Sequence, residues 1–494
     1  MNITTIGHAG LYINTKDCNI LCDPWKHENP QFFKSWYVYP DNSNLDWDMM
    51  IQNTDYLYVS HTHRDHFDSK FLTELANRNK KVRVILPDYF YPFLKEELNK
   101  IGFNKFIIGE FKCGDTTMVT YPANTVDRER EDSALVVDED FTFLNFNDST
   151  IELSHKKDIL KRFKNVEMAA GQFSGANWWP ICYENYSEEE LKKMCVEYRE
   201  RKSKKYLKIM NYLEIDKMVH TSGPPCFLDK KLAHLNWNSI FFDSWEVPEF
   251  DEIDNIYRVI PGDEFNYNNI IDRKVRPFSK KEFINSRLYE SDDDISDDEW
   301  VESKKKFLHW MDNIIKNSKW LRKYISQKLY LSIDGYQVFH LNFRKSCVDI
   351  YDKVDYRGAY YLVKIPPKIF YELVIEKYTD WEEAFLSSRL KFTRIPDKYN
   401  PWILSFFRNL DVGKLNKINE NKNSNKIIEE KIQVGDYKID KYCPHQQYDL
   451  SHHGKVDLDK CTIQCLGHGW TWNIKTGKGI NCGFDLNTEK IIGE

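Results

Sequence analysis

The chain has 494 residues, a net charge of −6, 41% hydrophobic and 30% charged residues, which calls for about three globular domains and excludes pervasive disorder. The acidic balance gives no reason to expect a nucleic-acid partner, because a phosphate-binding surface normally carries a basic surplus. Met1 leads into Ile3-Thr4-Thr5-Ile6 without the charged start and apolar run of a secretory signal, and no stretch approaches the roughly 18 apolar residues of a membrane span. The eleven cysteines are scattered except near the C-terminus, unlike a secreted disulfide framework. The expectation is a soluble, cytoplasmic protein in a reducing compartment, with no membrane partner.

In chain order, the alternating runs at 3–13 and 19–23 predict a β-hairpin. Residues 55–60 predict a strand that runs into a His-rich loop, with a helix over 70–80 behind it. Further strands are predicted at 82–86, 106–108, 116–121, 133–137 and 141–146, so helices and strands alternate through the first half. Residues 187–212 read as one long helix carrying Arg199, Arg201, Lys202, Lys204, Lys205 and Lys208. Such a row either meets a phosphate or, as the simpler reading, forms a solvated face. The acidic run 291–299 reads as an exposed loop without a role, and 414–426, rich in Lys and Asn, reads as a linker. The expected division is a metal-binding domain over 1–250, a mixed, helix-containing region over 251–413, the linker, and a C-terminal domain over 427–494.

Near the C-terminus, Cys443-Pro-His445 and Cys465-Leu-Gly-His468 form two boxes with 19 residues between them. Each box offers one thiolate and one imidazole. A Rieske-type [2Fe-2S] cluster needs two thiolates on one iron and two imidazoles on the other, and the neutral imidazoles raise its potential. A structural zinc site uses the same residue types, but the single residue between Cys443 and His445 is narrow for a zinc knuckle. The segment resembles Rieske domains, with Trp470-Thr-Trp-Asn-Ile-Lys-Thr-Gly477 after the second box. Gln446-Gln447-Tyr448 stands where respiratory-chain members place an extra cysteine, so the resemblance is to the oxygenase and ferredoxin type. Cys461, Cys482, His452 and His453 read as loop or packing residues.

Ser60-His-Thr-His-Arg-Asp-His66 crowds three imidazoles and a carboxylate into six residues after a strand. Protonated imidazoles repel, so the pattern is best explained by neutral ligands sharing a metal. It resembles the signature of the metallo-β-lactamase fold, a four-layer αβ/βα sandwich. That resemblance implies one metal position at His61 and His63, a second at Asp65 and His66, a bridging Asp148 at the strand end Leu144-Asn-Phe-Asn-Asp148, and a last ligand at His220. The fold usually supplies a third His before the bridging Asp, yet none occurs between His66 and His155. Asp127 is a candidate substitute. One iron held by two His and a carboxylate leaves positions open for oxygen, and either His61, His63 and Asp148, or His66, His220 and an Asp, supplies that set.

Hydrolysis needs no electrons, whereas oxygen activation at iron does. The pairing of parts resembles the cytidine monophosphate N-acetylneuraminic acid hydroxylase family. Stretches similar to that family are Cys22-Asp-Pro-Trp25, Ser60 to His66, Leu144 to Thr150, Phe173-Ser-Gly-Ala-Asn-Trp-Trp-Pro180, and Trp381 through Pro396-Asp-Lys-Tyr399. The Rieske segment stands last here, whereas it stands first in the animal enzyme. The resemblance implies an α+β multidomain protein: a metallo-β-lactamase-like sandwich, a mixed helical middle region and a small all-β Rieske domain. It further implies a monooxygenase using non-haem iron and oxygen, with electrons passing from NADH through a reductase and cytochrome b5 or ferredoxin to the cluster. The substrate implied is an N-acetylated sugar nucleotide such as CMP-N-acetylneuraminate; Arg199 to Lys208 is a candidate phosphate patch and the Gly175 loop, with Phe173, Trp178 and Trp179, a candidate wall. Zinc is the alternative metal. The alternative functions are a metallo-β-lactamase-superfamily hydrolase with a regulatory cluster and a non-enzymatic redox protein.

Overall fold

The computed structural model describes residues 1–89, 92–123, 132–149, 151–221, 223–421, 430–444, 449–466 and 469–491. Asp127, His445 and His468 lie outside the described residues. The N-terminal unit contains two sheets of seven strands each. The first holds β1 (Asn2–Gly7), β2 (Gly10–Asn14), β3 (Asn19–Cys22), β4 (Tyr56–Tyr58), β5 (Arg83–Leu86) and β6 (Phe106–Ile108) in spatial order. The second runs from β7 (Glu110–Cys113) through β8 (Thr116–Pro122), β9 (Ser133–Asp138), β10 (Thr142–Asn147), β11 (Met168–Gln172) and β12 (Lys217–Thr221) to β13 (Ile256–Tyr257). A last strand, β14 (Glu264–Phe265), returns to pair with β1. The sandwich therefore takes in residues beyond the expected boundary at 250.

Side-chain alternation builds the layers, because successive strand residues point to opposite faces. Leu11, Ile13, Ile20, Cys22, Tyr56, Tyr58 and Ile85 face Leu135, Val137, Phe143, Met168, Ala170 and Val219 in a core between the sheets. Their neighbours Tyr12, Leu21, Leu57, Val84 and Leu86 point outward onto helices α1 (Trp47–Asn53), α2 (Ser69–Arg78) and α3 (Phe93–Ile101). On the second sheet, Val119, Tyr121, Val136, Leu144, Phe146, Ala169 and Met218 pack beneath α4 (Leu153–Phe163) and α5 (Glu188–Leu213). This is the αβ/βα sandwich, and it brings the loop after β4, the end of β10 and the start of β9 to one rim.

The middle region holds a five-stranded sheet that the sequence reading did not anticipate, ordered Cys347–Tyr351, Val338–Asn342, Lys328–Ile333, Tyr360–Ile365 and Lys391–Ile395. It packs against the helix Asp297–Asn317, and its apolar core is continuous with that of α5 and the second sheet. The acidic run partly enters that helix, where Ser296 and Glu299 form a capping box, and Asp293 pairs with Lys231 at 2.7 Å. The expected linker is helical over its first part, within Val412–Asn421, while 422–426 lies outside the described residues. The C-terminal domain consists of two three-stranded sheets and one helical turn, Leu450–His453. Among the described residues, no helix is long and apolar enough to cross a membrane.

Candidate metal centre

The loop that follows β4 turns back on itself through hydrogen bonds from the backbone N–H groups of His66 and Phe67 to the His63 carbonyl. This gathers its imidazoles. His61 Nε2 and His63 Nδ1 are 3.0 Å apart, the spacing of two nitrogens each about 2 Å from one ion. His66 Nε2 lies 3.6 Å from Asp65 and 3.6 Å from Asp148. The ligand atoms of His61, His66 and Asp148 lie within 4.8 Å of one another, as do those of His8, Asp65 and His66.

His66 Nε2 and Asp148 Oδ1 are buried and have no hydrogen-bond partner among the described residues. Burying polar atoms unsatisfied is costly, so such orphans usually mark an ion or a water. The donor set fits a metal ion on that observation. The opposite nitrogen of His66 is already engaged: Asp23 lies 2.9 Å from Nδ1 and is itself held by the Ser60 N–H and hydroxyl, both at 2.7 Å. A carboxylate on Nδ1 leaves Nε2 as the ligand nitrogen. Burial works against the charged imidazole, but Asp65, Asp23 and Asp148 together outweigh it and raise His66 to about 10. So concentrated a negative field favours a cation.

Three residues were not singled out in the sequence. His8, in the β1–β2 turn at φ 50°, lies 2.8 Å from Asp65; its Gly-His-Ala-Gly setting is the signal. Asp132 stands before β9, and because Asn145 of β10 pairs antiparallel with Leu135 of β9, it comes to the same rim as Asp148. Asp132 lies 3.9 Å from His61. Glu382 comes from the middle region, 3.5 Å from His63 Nε2, and is clamped by Arg408 at 2.7 and 2.5 Å. Expected His220 does not join either donor group. It is enclosed by Phe250, Phe173 and Tyr206 at 4.5, 4.6 and 5.2 Å, and burial holds it well below the usual range for histidine.

A cavity of about 420 Å³ opens from this centre. His63, Asp65, Asp132 and Asp148 line it, and so do Gln464, Gly469, Trp470 and Asn481 of the C-terminal domain. Glu382, Arg394 and Arg408 contribute from the middle region. Ala176, Asn177, Trp178 and Trp179 of the Gly175 loop line it too, while Phe173 packs on His220 instead. The basic face of α5 is not simply solvated: Arg201, Lys202 and Lys205 reach the cavity, and Lys208 donates to the His452 carbonyl at 2.9 Å.

In the C-terminal domain, Cys443 and Cys465 are fully buried in one apolar cluster with Trp470 and Trp472, and neither is in a disulfide. The Cys465 carbonyl accepts from the Gly469 N–H at 2.7 Å, and its N–H donates to the Trp470 carbonyl at 2.8 Å. Two cysteines in one buried cluster and without a disulfide fit the cysteine half of a mixed Cys and His cluster. Cys482 is buried in the same core and Cys461 is partly exposed in a turn.

Residues 2–165 match the β-lactamase superfamily domain, 304–423 the Rv3818-like, SCP2-like domain, and 412–484 the Rieske [2Fe-2S] domain. A protein of Mycolicibacterium smegmatis named as a Rieske 2Fe-2S iron-sulfur protein is 28% identical over 99% of this chain and 100% of its own length. The cytidine monophosphate-N-acetylneuraminic acid hydroxylase of Asterias rubens is 24% identical over 44% of this chain and 34% of its own, a likeness narrower than the local motifs from Asp23 to Tyr399 suggest. CmlA, a diiron β-hydroxylase from Streptomyces venezuelae, aligns over 53% of each chain at 18% identity with a TM-score of 0.36. The chain thus joins a metallo-β-lactamase fold at its N-terminal side to a Rieske [2Fe-2S] domain at its C-terminal side.

Proposed function

We propose that this protein is an oxygenase in which a Rieske cluster delivers electrons across the shared cavity to non-haem iron in the N-terminal sandwich. The observation that carries the reading is the cavity itself, whose lining includes both candidate metal-ligand residues of the N-terminal sandwich and residues of the second Rieske box and its flank. In this reading Cys443, His445, Cys465 and His468 hold the cluster. His61, His63, Asp65, His66 and Asp148 hold iron, with Asp132 in place of the missing third histidine and His8 steadying Asp65. When bound, iron supplies the redox chemistry that reduces oxygen, and the cluster supplies electrons singly. Asp23 and Glu382 fix the orientation of His66 and His63. The tryptophans and tyrosines of the cavity wall exclude water.

The substrate class proposed is an N-acetylated sugar nucleotide, with CMP-N-acetylneuraminate the first to test, supported by the partial likeness to the hydroxylase. One oxygen atom enters a C–H bond; the other leaves as water with two electrons and two protons. An NADH-linked reductase with cytochrome b5 or ferredoxin supplies the electrons. The test is turnover with labelled oxygen gas, reductase and carrier, read by mass spectrometry. A gain of one labelled oxygen is expected. Label entering only from water would instead indicate a hydrolase, and no turnover with any acylated sugar nucleotide would remove the substrate assignment.

A further inference from the structure

We infer that Arg201 is a positioning residue for electron transfer: its guanidinium, lodged between the cavity and the second cluster-binding loop, raises the reduction potential of the [2Fe-2S] cluster. Three other cations of the cavity wall are engaged. Arg394 pairs with Asp397 at 2.6 Å, Arg408 with Glu382 at 2.5 Å, and Lys202 donates to Gln172 at 2.6 Å. Arg201 lines the same cavity, yet its Nε is enclosed without a hydrogen-bond partner, and among the described residues no carboxylate forms an ion pair with it. Its guanidinium lies over the Tyr198 ring at 4.6 Å.

The Rieske loop is shaped to receive it. A Cβ built on Gly469 would lie 2.1 Å from Arg201 Nη1, and Gly469 sits at φ +72°, so the absent side chain makes the room that the guanidinium fills. Gly469 follows the cluster-ligand candidate His468 directly, and its N–H is bonded to Cys465. Tyr198, Cys465 and Glu197 are the acidic groups that act on Arg201 electrostatically, and Glu197 lines the same cavity. Lys208, two turns further along the helix, fixes α5 to the domain through the His452 carbonyl.

A guanidinium does not give up its proton in a protein, and an enclosed charge outside any ion pair is costly. Reduction places one further negative charge on the cluster. The nearby cation stabilises that reduced form more than the oxidised one, and cluster potentials follow local charge and hydrogen bonding. The inference rests on the Rieske cluster alone, so failure of the oxygenase reading leaves it standing, and the reverse also holds.

The test is a redox titration of the full-length, cluster-loaded chain, followed by electron resonance. R201Q is expected to hold about tenfold less reduced cluster at a given poise, a fall of about 59 mV for one electron, with its Cys and His type signal retained. R201K, which keeps the charge, is expected close to the unaltered protein. K204Q is the control, since Lys204 lies on the exposed side of the same helix beside Glu200; it should not shift. If R201Q does not retain its cluster, R201M removes the charge with a side chain of similar length that brings no amide to compete for hydrogen bonds. A charge-free variant that titrates like the unaltered protein, or K204Q moving as far as R201Q, would overturn the inference.

Discussion

At His66 the two ring nitrogens have different duties. Nδ1 meets Asp23 at 2.9 Å, and Nε2 faces Asp148 at 3.6 Å. His66→Ala or Asp148→Asn should therefore reduce metal bound at the N-terminal centre while leaving the reddish-brown Rieske absorption intact; metal analysis beside an absorption spectrum checks this. Cys443→Ser should do the converse. Glu382 touches His63 from another domain, and a carboxylate in that position commonly contributes 10–100-fold to metal affinity or activity. Glu382→Gln should weaken binding by about that factor in a chelator competition, and unchanged affinity would remove Glu382 from the centre. The His-rich loop was legible because no packing requirement crowds three imidazoles into six residues. Asp132 was not, since a lone Asp before a strand looks like a cap, and only the β9–β10 register brings it to the rim.

Among the elements, α5 joins the sandwich to the Rieske domain. Its C-terminal turn sets Tyr212 against His452 and His453 at 4.9 and 6.0 Å. Burial, aided by Lys205, Lys208 and His452, pushes His453 down to about 3. A depressed histidine is neutral in the folded protein and protonates near pH 6.5 once unfolded, so the stability it contributes is full above about pH 6.5 and is lost as the pH falls toward 3. Melting curves from pH 7 to 4 should show a steeper decline for the unaltered chain than for His453→Gln; parallel curves would exclude this linkage. Within the second sheet, a Cβ on Gly171 would meet the Phe146 ring at 2.1 Å, so Gly171→Ala should cost about 1–3 kcal/mol by overpacking, measurable by denaturant unfolding. The alternation of apolar residues made the strands of the sandwich readable in advance. Charge alone misjudged α5: a row of Arg and Lys on a long helix does not say whether a second domain covers it, and here one does.

The whole molecule places three domains around one cavity. The His-rich loop and the Rieske boxes both stood out as motifs, because each sets particular residue types at close spacing. Their approach did not, since it depends on contacts between segments far apart in the chain, such as Tyr399 bridging to Cys482 and lying 5.3 Å from Trp470, or Glu382 lying 3.5 Å from His63. The five-stranded middle sheet was missed for a related reason: its strands are short apolar runs between helices, without motifs that carry chemistry. Arg394 of its last strand lines the cavity, together with Glu382 and Arg408 from the helices Glu382–Leu386 and Pro401–Arg408. The most direct test of electron passage within one chain is the reoxidation of chemically reduced, iron-loaded protein on mixing with oxygen, followed at the cluster absorption for the unaltered chain and for His66→Ala. The unaltered chain is expected to hold iron beyond the two atoms of its cluster and to reoxidise that cluster faster than the variant. Zinc in place of the additional iron, or equal rates in the two proteins, would contradict electron delivery from the Rieske domain to the N-terminal centre.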